Sequence, residues 1–374
     1  MRARIVIIGT GTTGLCLALE LARRTNPLRE PVLLISGGES ASTELELCGH
    51  DLEGKGLALE ARHGLRFWSG LWASTGRDPG WNSCGLLHKE LWEDDPPARK
   101  RLLDLGASVR REAGDVIDED AGTLLTAKAA TCLEALAREA GAVVRTGEVA
   151  LELVTDKGKI TGVKTSGGLV STSEVVLAGM RGATLVPGGP PALNRKEWTE
   201  FGYEVNEALA GEATGRETER EDLFATNQLG VQAAASAFES HFEQEDPASS
   251  DVRARVSGDL VASPEPNGEL WVRGLEQAEE EAAALAEEML GSVWLKEQRT
   301  RSSWLADDER PVIGRVPSLE GAWMACGFGG QAGLLAPACA EWLAEQIMKG
   351  QSGWFSARDC DPARSSLSWP NRAR

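Results

Sequence analysis

Hydrophobic positions along the chain fall into blocks whose period changes, and the changes predict the elements. Residues 5–8, IVII, are continuously apolar. Gly9, Gly11 and Gly14 follow at once, then CLALELARR with apolar positions at helical spacing. Such a run reads as a strand buried on both faces, and the period of about 3.6 residues after the glycines reads as a helix. A second continuous run, Val32 to Ile35, ends in Ser36 and a glycine turn. Residues 58–72 carry an amphipathic helical pattern interrupted at Gly64, and residues 80–91 read as a turn and a strand. A helical run at 130–142 has apolar positions at Leu133, Leu136 and Ala140. Strand alternation follows, with turns at Asp156-Lys157-Gly158 and Gly167-Gly168, and closes on a buried strand from Val175 to Ala178. That stretch reads as a β-meander.

The pattern is least readable between 181 and 250, which opens on VPGGPP and continues as acidic, helical-looking sequence. A hairpin is predicted around Pro266-Asn267-Gly268, then an acidic helix over 276–290 whose glutamates read as a solvated face. AWMAC, 322–326, reads as another buried strand. Four glycines within seven residues, Gly327, Gly329, Gly330 and Gly333, then open a helix from Leu334 to Ile347. No internal repeat is evident.

The chain has 374 residues, long enough for two domains or for one with a large insertion. Hydrophobic and charged fractions of 42 % and 26 % suit a soluble globular protein. The net charge of −18 argues against nucleic acid or an anionic membrane as partner, because either would repel such a surface. No apolar run reaches the ~18 residues of a membrane span. The first strand starts with no leader-like segment before it, so a cytoplasmic location is expected. Seven cysteines without a C-x-x-C pair read as reduced thiols rather than disulfides or a zinc site. The four histidines are scattered, and no metal site is assigned.

The order strand, glycine turn, helix is how a chain builds a dinucleotide pyrophosphate site. Gly9 permits the sharp turn, Gly11 lets backbone approach the phosphates, and Gly14 lets the helix sit close to the strand. The helical N–H groups, Thr13 among them, then hold the anion. An acidic residue normally ends the next strand and takes the ribose hydroxyls. Ser36 stands there, a weaker partner than a carboxylate. The second glycine cluster, Gly327, Gly329, Gly330, Gln331, Ala332, Gly333 and Leu334, places N–H groups beside a planar or anionic group.

Jointly, VIIGTGTTGLCLALELA and DERPVIGRVPSLEGAWMACGFGGQAGLLAPACAEWLAEQI (308–347) resemble the FAD-dependent oxidoreductases of the D-amino-acid oxidase type, which include glycine oxidase and sarcosine oxidase. The matching residues are Asp308, Pro311, Val312, Ile313 and Gly314, then the four glycines, then Leu335-Ala336-Pro337-Ala338. The likeness covers residues 4–180 and 255–347. It implies an α/β, two-domain flavoprotein with a Rossmann-like FAD domain and a mixed-sheet substrate domain. The FAD domain would comprise 1–80, 126–180 and 301–374, and the substrate domain 81–125 and 181–300. It further implies that Ser42 and Thr43 lie near the pyrophosphate or flavin, that Val149 meets adenine through its backbone, and that Ala178 and Gly179 border the cofactor. The second glycine turn would lie against the flavin ring and ribityl chain. The implied reaction is oxidation of a carbon–nitrogen bond of an amino acid or secondary amine, by hydride transfer to flavin N5, giving an imine. No acid–base dyad is required, since the cofactor carries the hard chemistry.

Several residues depart from the family pattern. Where family members that bind amino acids present an arginine to the substrate carboxylate, this chain has Ser303. Arg301 and Arg299 share its face if the segment is a strand, and Arg301 is the candidate carboxylate clamp. The single tyrosine, Tyr203, is a weak candidate for the substrate-side hydroxyl the family tends to use. Trp81 and Trp304 read as packing residues beside the matched segments. His88 reads as an exposed strand histidine, and Cys326 as a buried thiol rather than a covalent flavin link. Ser36, Ser303, the Ala178-Gly179-Met180 triplet and the 181–250 segment together raise an alternative. That alternative is an oxidase-like subunit with altered turnover, acting as a partner in a hetero-oligomer. A nicotinamide-dependent reductase accounts for the first motif only.

Overall fold

The computed structural model describes residues 2–28, 31–36, 45–50, 57–88, 100, 103–104, 106–112, 115–205, 254–257, 260–264, 270–274, 279–290, 293–317, 319–350 and 357–370. Ser42, Thr43, the turn at Pro266-Asn267-Gly268 and residues 206–250 lie outside them. In chain order the elements are β1 (Ile5–Ile8), α1 (Thr12–Arg24), β2 (Val32–Ser36), β3 (Leu45–Cys48), α2 (Ala58–Thr75), β4 (Trp81–Asn82), β5 (Leu86–His88), β6 (Val109–Glu112), β7 (Asp115–Asp118) and β8 (Gly122–Leu125). Then come α3 (Thr126–Glu139), β9 (Val143–Asp156), β10 (Lys159–Thr165), β11 (Gly168–Ser171), β12 (Glu174–Ala178), α4 (Met180–Ala183) and β13 (Asn194–Val205). The remainder are β14 (Ala254–Ser257), β15 (Leu260–Pro264), β16 (Leu270–Gly274), α5 (Glu279–Leu290), β17 (Val293–Leu305), β18 (Val312–Arg315), β19 (Ala322–Cys326), α6 (Ala332–Lys349) and α7 (Ala357–Cys360).

The first sheet runs β11-β10-β9-β2-β1-β12-β19-β18. Its parallel core, β9-β2-β1-β12-β19, visits the strands in the order third, second, first, fourth, fifth. This is the doubly wound Rossmann order, and its direction reverses between β1 and β12. Strand β1 shows why IVII is apolar throughout. Ile5 and Ile7 join the core under α1, α2, α3 and α6, while Val6 and Ile8 join the opposite core under the meander. The meander β9-β10-β11 is antiparallel, with Lys157 in a left-handed conformation at its first turn.

The second sheet, β17-β13-β16-β15-β14-β5-β7-β6, is mixed, with β14 and β5 parallel among antiparallel neighbours. A small sheet, β3-β8-β4, completes the fold. The architecture is α/β, with one Rossmann-type sheet and one separate mixed sheet. Among the described residues, no helix is long and apolar enough to cross a membrane.

Three sequence expectations change. Helix α2 is continuous through Gly64, because a glycine inside a helix is tolerated and here serves a close helix crossing. Helix α3 begins at Thr126, four residues earlier than its apolar pattern suggests. Residues 194–205, which fall in the unreadable stretch, form the long strand β13, whose partners β16 and β17 lie far along the chain. Strands β15 and β16 pair antiparallel from Pro264 with Leu270 outward, flanking the turn foreseen there.

Arg364 ties the C-terminal segment to the start of β18. Its Nε donates to Asp308 Oδ2 at 2.8 Å and its Nη2 to Asp308 Oδ1 at 3.0 Å, while the Pro311 and Arg310 carbonyls accept from the same guanidinium. Burial pushes the Asp308 carboxyl up, but the Arg364 fork, the Ser366 hydroxyl and the Arg310 N–H outweigh it and hold it at about 2, against 3.8 ordinarily. The pair therefore contributes its full stability above pH 3.8 and loses it as pH falls through about 2. Acid unfolding of Arg364→Ala, followed by circular dichroism, is expected to begin at higher pH than that of the parent.

Candidate active site

The carboxyl ends of the parallel strands form one edge. The Gly9 N–H donates to Ile35 O at 2.9 Å and the Gly179 N–H to Ala325 O at 2.9 Å, so β2, β1, β12 and β19 finish in line. Gly9 has φ of 125°, and a Cβ there would lie 2.0 Å from Ala178 O. A Cβ on Gly14 would lie 1.8 Å from Gly9 O. These two glycines are needed by the protein itself, one for the turn and one for the approach of helix to strand.

Gly11 differs. It caps α1 with φ −70° and ψ 176°, and among the described residues a Cβ placed on it would meet nothing within 4 Å. No side chain caps the helix, and its first turn holds no acidic residue. Open space, helical N–H groups and the positive end of the helix dipole therefore coincide at the reversal point of the sheet. The pyrophosphate of FAD fits this cradle. Thr13 is buried behind it, in the first turn of the helix.

Ser36 is buried and pairs in register with Val149. The Val149 N–H donates to Ser166 Oγ at 3.0 Å, and its C=O accepts from the Ser166 N–H at 2.9 Å. Contact with adenine through Val149 would therefore use the second lone pair of its carbonyl.

The second glycine turn follows β19. Gly327, Gly329 and Gly330 have φ of 72°, 64° and 87°, the left-handed region that only glycine enters readily. The Gly329 N–H donates to Trp304 O, and a Cβ at Gly329 would collide with Leu305 at 2.2 Å, so the turn abuts the end of β17. Gln331 caps α6 and Ala332 begins it.

Beyond Ala332 the helix start is already occupied. Glu46, only 6 % exposed on β3, accepts from the Gly333 N–H at 2.8 Å and the Leu334 N–H at 3.1 Å. Trp68 Nε1 donates to Gly333 O at 2.8 Å. A carboxylate at a helix N-terminus satisfies two otherwise orphaned donors and faces the favourable end of the dipole. Sequence reasoning missed Glu46. Its only signal was an acidic residue amid the apolar alternation of LELC.

On the second sheet, the face carrying Phe201, Tyr203, Leu270 and Val272 packs on α5. Glu200 pairs across the strands with Arg299, and Gly202 with Trp271, so these residues lie on the other face with Arg301, Ser303 and Leu305. Arg301 does sit on the face of Ser303, as alternation predicted. Its Nε donates to Glu200 Oε2 at 3.2 Å. Tyr203 is excluded from that face: it is buried against α5, its hydroxyl directed at Glu279 O, because it is three residues from Glu200 and alternation turns it away.

Trp304 is partly exposed, and Trp81 donates its Nε1 to Ser83. His88 ends β5. Cys326 is fully buried, and burial pushes its thiol up to about 12 despite nearby Arg364, so it is an unreactive packing residue.

Among the described residues, one group of His and acid side chains is close enough to share an ion: His50, Asp118 and Asp120. Asp118 already accepts from the His50 N–H at 3.0 Å, meets His50 Nδ1 at 2.9 Å and accepts from the Asp120 N–H at 3.2 Å. The group is a structural junction between β3 and the second sheet.

A family model described as DAO, FAD dependent oxidoreductase, matches residues 4–346. The chain belongs to that family and is an FAD-dependent oxidoreductase. Among solved structures it is similar to L-amino acid deaminase from Proteus vulgaris with its specific insertion deleted, at 17 % identity and TM-score 0.72, covering 97 % of this chain and 94 % of that one. It is similar to L-proline dehydrogenase from P. horikoshii at 17 % identity and TM-score 0.70, covering 96 % and 97 %. It is also similar to glycine oxidase from Geobacillus kaustophilus at 16 % identity and TM-score 0.69, covering 97 % and 99 %. At such identities the likeness is one of fold. No curated protein matches the sequence.

Proposed function

We propose that the chain oxidises the carbon–nitrogen bond of an amino acid or secondary amine to an imine. FAD, when bound, supplies the hydride acceptor at flavin N5. In this reading the pyrophosphate lies at Gly11 against the first helical N–H groups, Thr13 among them, in a cradle that Gly9 and Gly14 shape; Ser36 takes a ribose hydroxyl, and Ala178 and Gly179 border the crevice. Val149 offers its carbonyl to adenine. Gly327, Gly329, Gly330, Gln331 and Ala332 line the flavin end, while Gly333 and Leu334 shape it with their N–H groups held by Glu46. Ser42 and Thr43, which the resemblance puts near the pyrophosphate or flavin, lie outside the described residues. Arg301 orients the substrate carboxylate, and the division into an FAD and a substrate domain follows the two large sheets. The seven free thiols suit a reducing compartment such as the cytoplasm.

The observation that carries this reading is the meeting of the second glycine turn with the polar-faced strand β17 at Leu305, on the same sheet edge as the open Gly11 cradle. In this reading the cofactor crevice lies beside a surface able to hold a small polar molecule. One observation favours the partner-subunit alternative. Glu46 fills the start of α6 with a carboxylate, so the Gly333 and Leu334 N–H groups are already held and are not offered to a flavin.

The visible spectrum of the purified protein is expected to show flavin bands near ~375 and ~450 nm. Anaerobic addition of amino acids and secondary amines is expected to bleach the upper band for at least one of them. A flavin-loaded protein that no amine bleaches would support the partner-subunit reading, and a colourless protein that refuses added FAD would overturn both.

A further inference from the structure

We propose that Glu46 holds the bound flavin at a low reduction potential, as a negative charge placed at the helix start beside the flavin end of the crevice. The inference rests on the proposed placement of FAD and adds to it how readily the ring accepts electrons.

Glu46 occupies a place that its surroundings suit to an apolar side chain. Along β3 the side chains alternate, and Cys48, two residues on, belongs to the core under α6. So does Leu124, which pairs with Glu46 across β3 and β8. Leu47 turns the other way, against Leu86 and Ala121. A carboxylate among such neighbours is costly unless its charge is compensated. The Gly333 N–H at 2.8 Å and the Leu334 N–H at 3.1 Å supply that compensation. The fit is close, since a Cβ on Gly333 would stand 2.8 Å from both Glu46 Oε2 and Leu124. Glu46 makes further interactions in the fold, so it is part of the framework and not a contact that awaits a ligand.

The position of the carboxylate gives it reach. In the proposed placement, residues 327–332 line the flavin end. Gln331 and Gly333 are two residues apart, so their Cα atoms lie within ~7.6 Å of each other. That is inside the ~8 Å over which an exposed charge acts at physiological salt, and a buried charge is screened less. The magnitudes then decide the sign. A helix start carries roughly +0.5 of a charge, and a carboxylate brings −1, so the balance at the start of α6 is about −0.5. The same contact withdraws two N–H donors. Reduction by two electrons and one proton turns the neutral flavin ring into an anion, and both effects oppose it. Sulfite reports the same property. Its sulfur lone pair forms a bond to flavin N5, nothing leaves, and the ring takes up negative charge.

Two measurements on the FAD-loaded protein test this: the two-electron midpoint potential against a reference dye, and a sulfite titration followed in the visible spectrum. The parent is expected to have a potential below that of free FAD in the same buffer, and to bind sulfite no more tightly than free FAD does. Glu46→Gln removes the charge and keeps the shape. It is expected to favour reduction ~10-fold or more, about 30 mV for a two-electron couple, and to tighten sulfite binding by a similar factor. Glu46→Asp keeps the charge but shortens the reach to the N–H groups, and its potential is expected to stay near that of the parent. Glu345→Gln removes the same charge about three turns further along α6, and is expected to change neither reading.

A parent potential above that of free FAD, with tight sulfite binding, overturns the inference even if no variant folds. An unshifted potential in Glu46→Gln overturns it as well. So does Glu46→Asp shifting as far as Glu46→Gln, which would make Glu46 a structural cap alone, or an equal shift in Glu345→Gln. Failure of the underlying reading looks different: absence of flavin bands sinks the cofactor placement, and a loaded protein that no amine bleaches sinks the amine chemistry while its potential stays measurable.

Discussion

Gly11→Val is expected to abolish FAD binding and leave the flavin-free fold unchanged. A Cβ at Gly11 meets no atom of the described residues within 4 Å, and φ −70° with ψ 176° is extended backbone that valine adopts readily. The added side chain therefore enters through a Cβ that crowds no described atom, on the open side of the α1 N-terminus. Quenching of FAD fluorescence on titration should show affinity falling by a factor on the order of 100 or more, equivalent to about 3 kcal/mol. Thermal melting of the flavin-free proteins should differ by no more than a few degrees. Retained flavin would place the pyrophosphate elsewhere. A substitution at Gly14 would not test the same point, since its Cβ would strike Gly9 O and disturb the packing itself.

The second large effect is structural. Gly64→Ala is expected to cost about 3 kcal/mol or more, at or beyond the upper end of ordinary overpacking. The new Cβ would stand 1.8 Å from the carbonyl oxygen of Leu334, and backbone cannot move aside as a side-chain tip can. Relief requires α2 and α6 to part, which would also stretch the bond from Trp68 Nε1 to Gly333 O. Against a total stability of roughly 5–15 kcal/mol, the loss should be plain in the urea midpoint, measured at a fixed FAD concentration because bound cofactor adds stability. Gly70→Ala on the same helix is the control. Its Cβ meets nothing within 4 Å, so that variant should match or exceed the parent, by roughly 0.5–1 kcal/mol. Equal losses at the two positions would show that the helix crossing is not the cause.

The two effects separate what was readable along the chain from what was not. The strand, glycine turn and helix at 5–24 are local: buried strand, φ-positive Gly9 and helical period all fall within twenty residues. The same holds for Ala322–Cys326, its glycine turn and the helix after it, except that the register between the turn and β17 is not local. Alternation alone put Arg301 on the face of Ser303. Gly64, by contrast, read as an interruption, because its reason lies in a helix some 270 positions away. Tyr203 could not be assigned a side until β13 was known to be a strand, and β13 itself carries charged residues on both faces.

By itself, then, the sequence determined those features whose cause lies within a turn or a strand: the buried parallel strands, the two glycine turns, the meander, and the FAD-oxidoreductase family. Tertiary structure decided where distant groups meet. Glu46 holds the N–H groups of Gly333 and Leu334 from 287 and 288 residues away. Glu200 stands beside Arg301 at a separation of 101. A carboxylate has no period and reaches any donor that the fold brings near. Its partner therefore depends on strand register and helix crossing, which no short window of sequence contains.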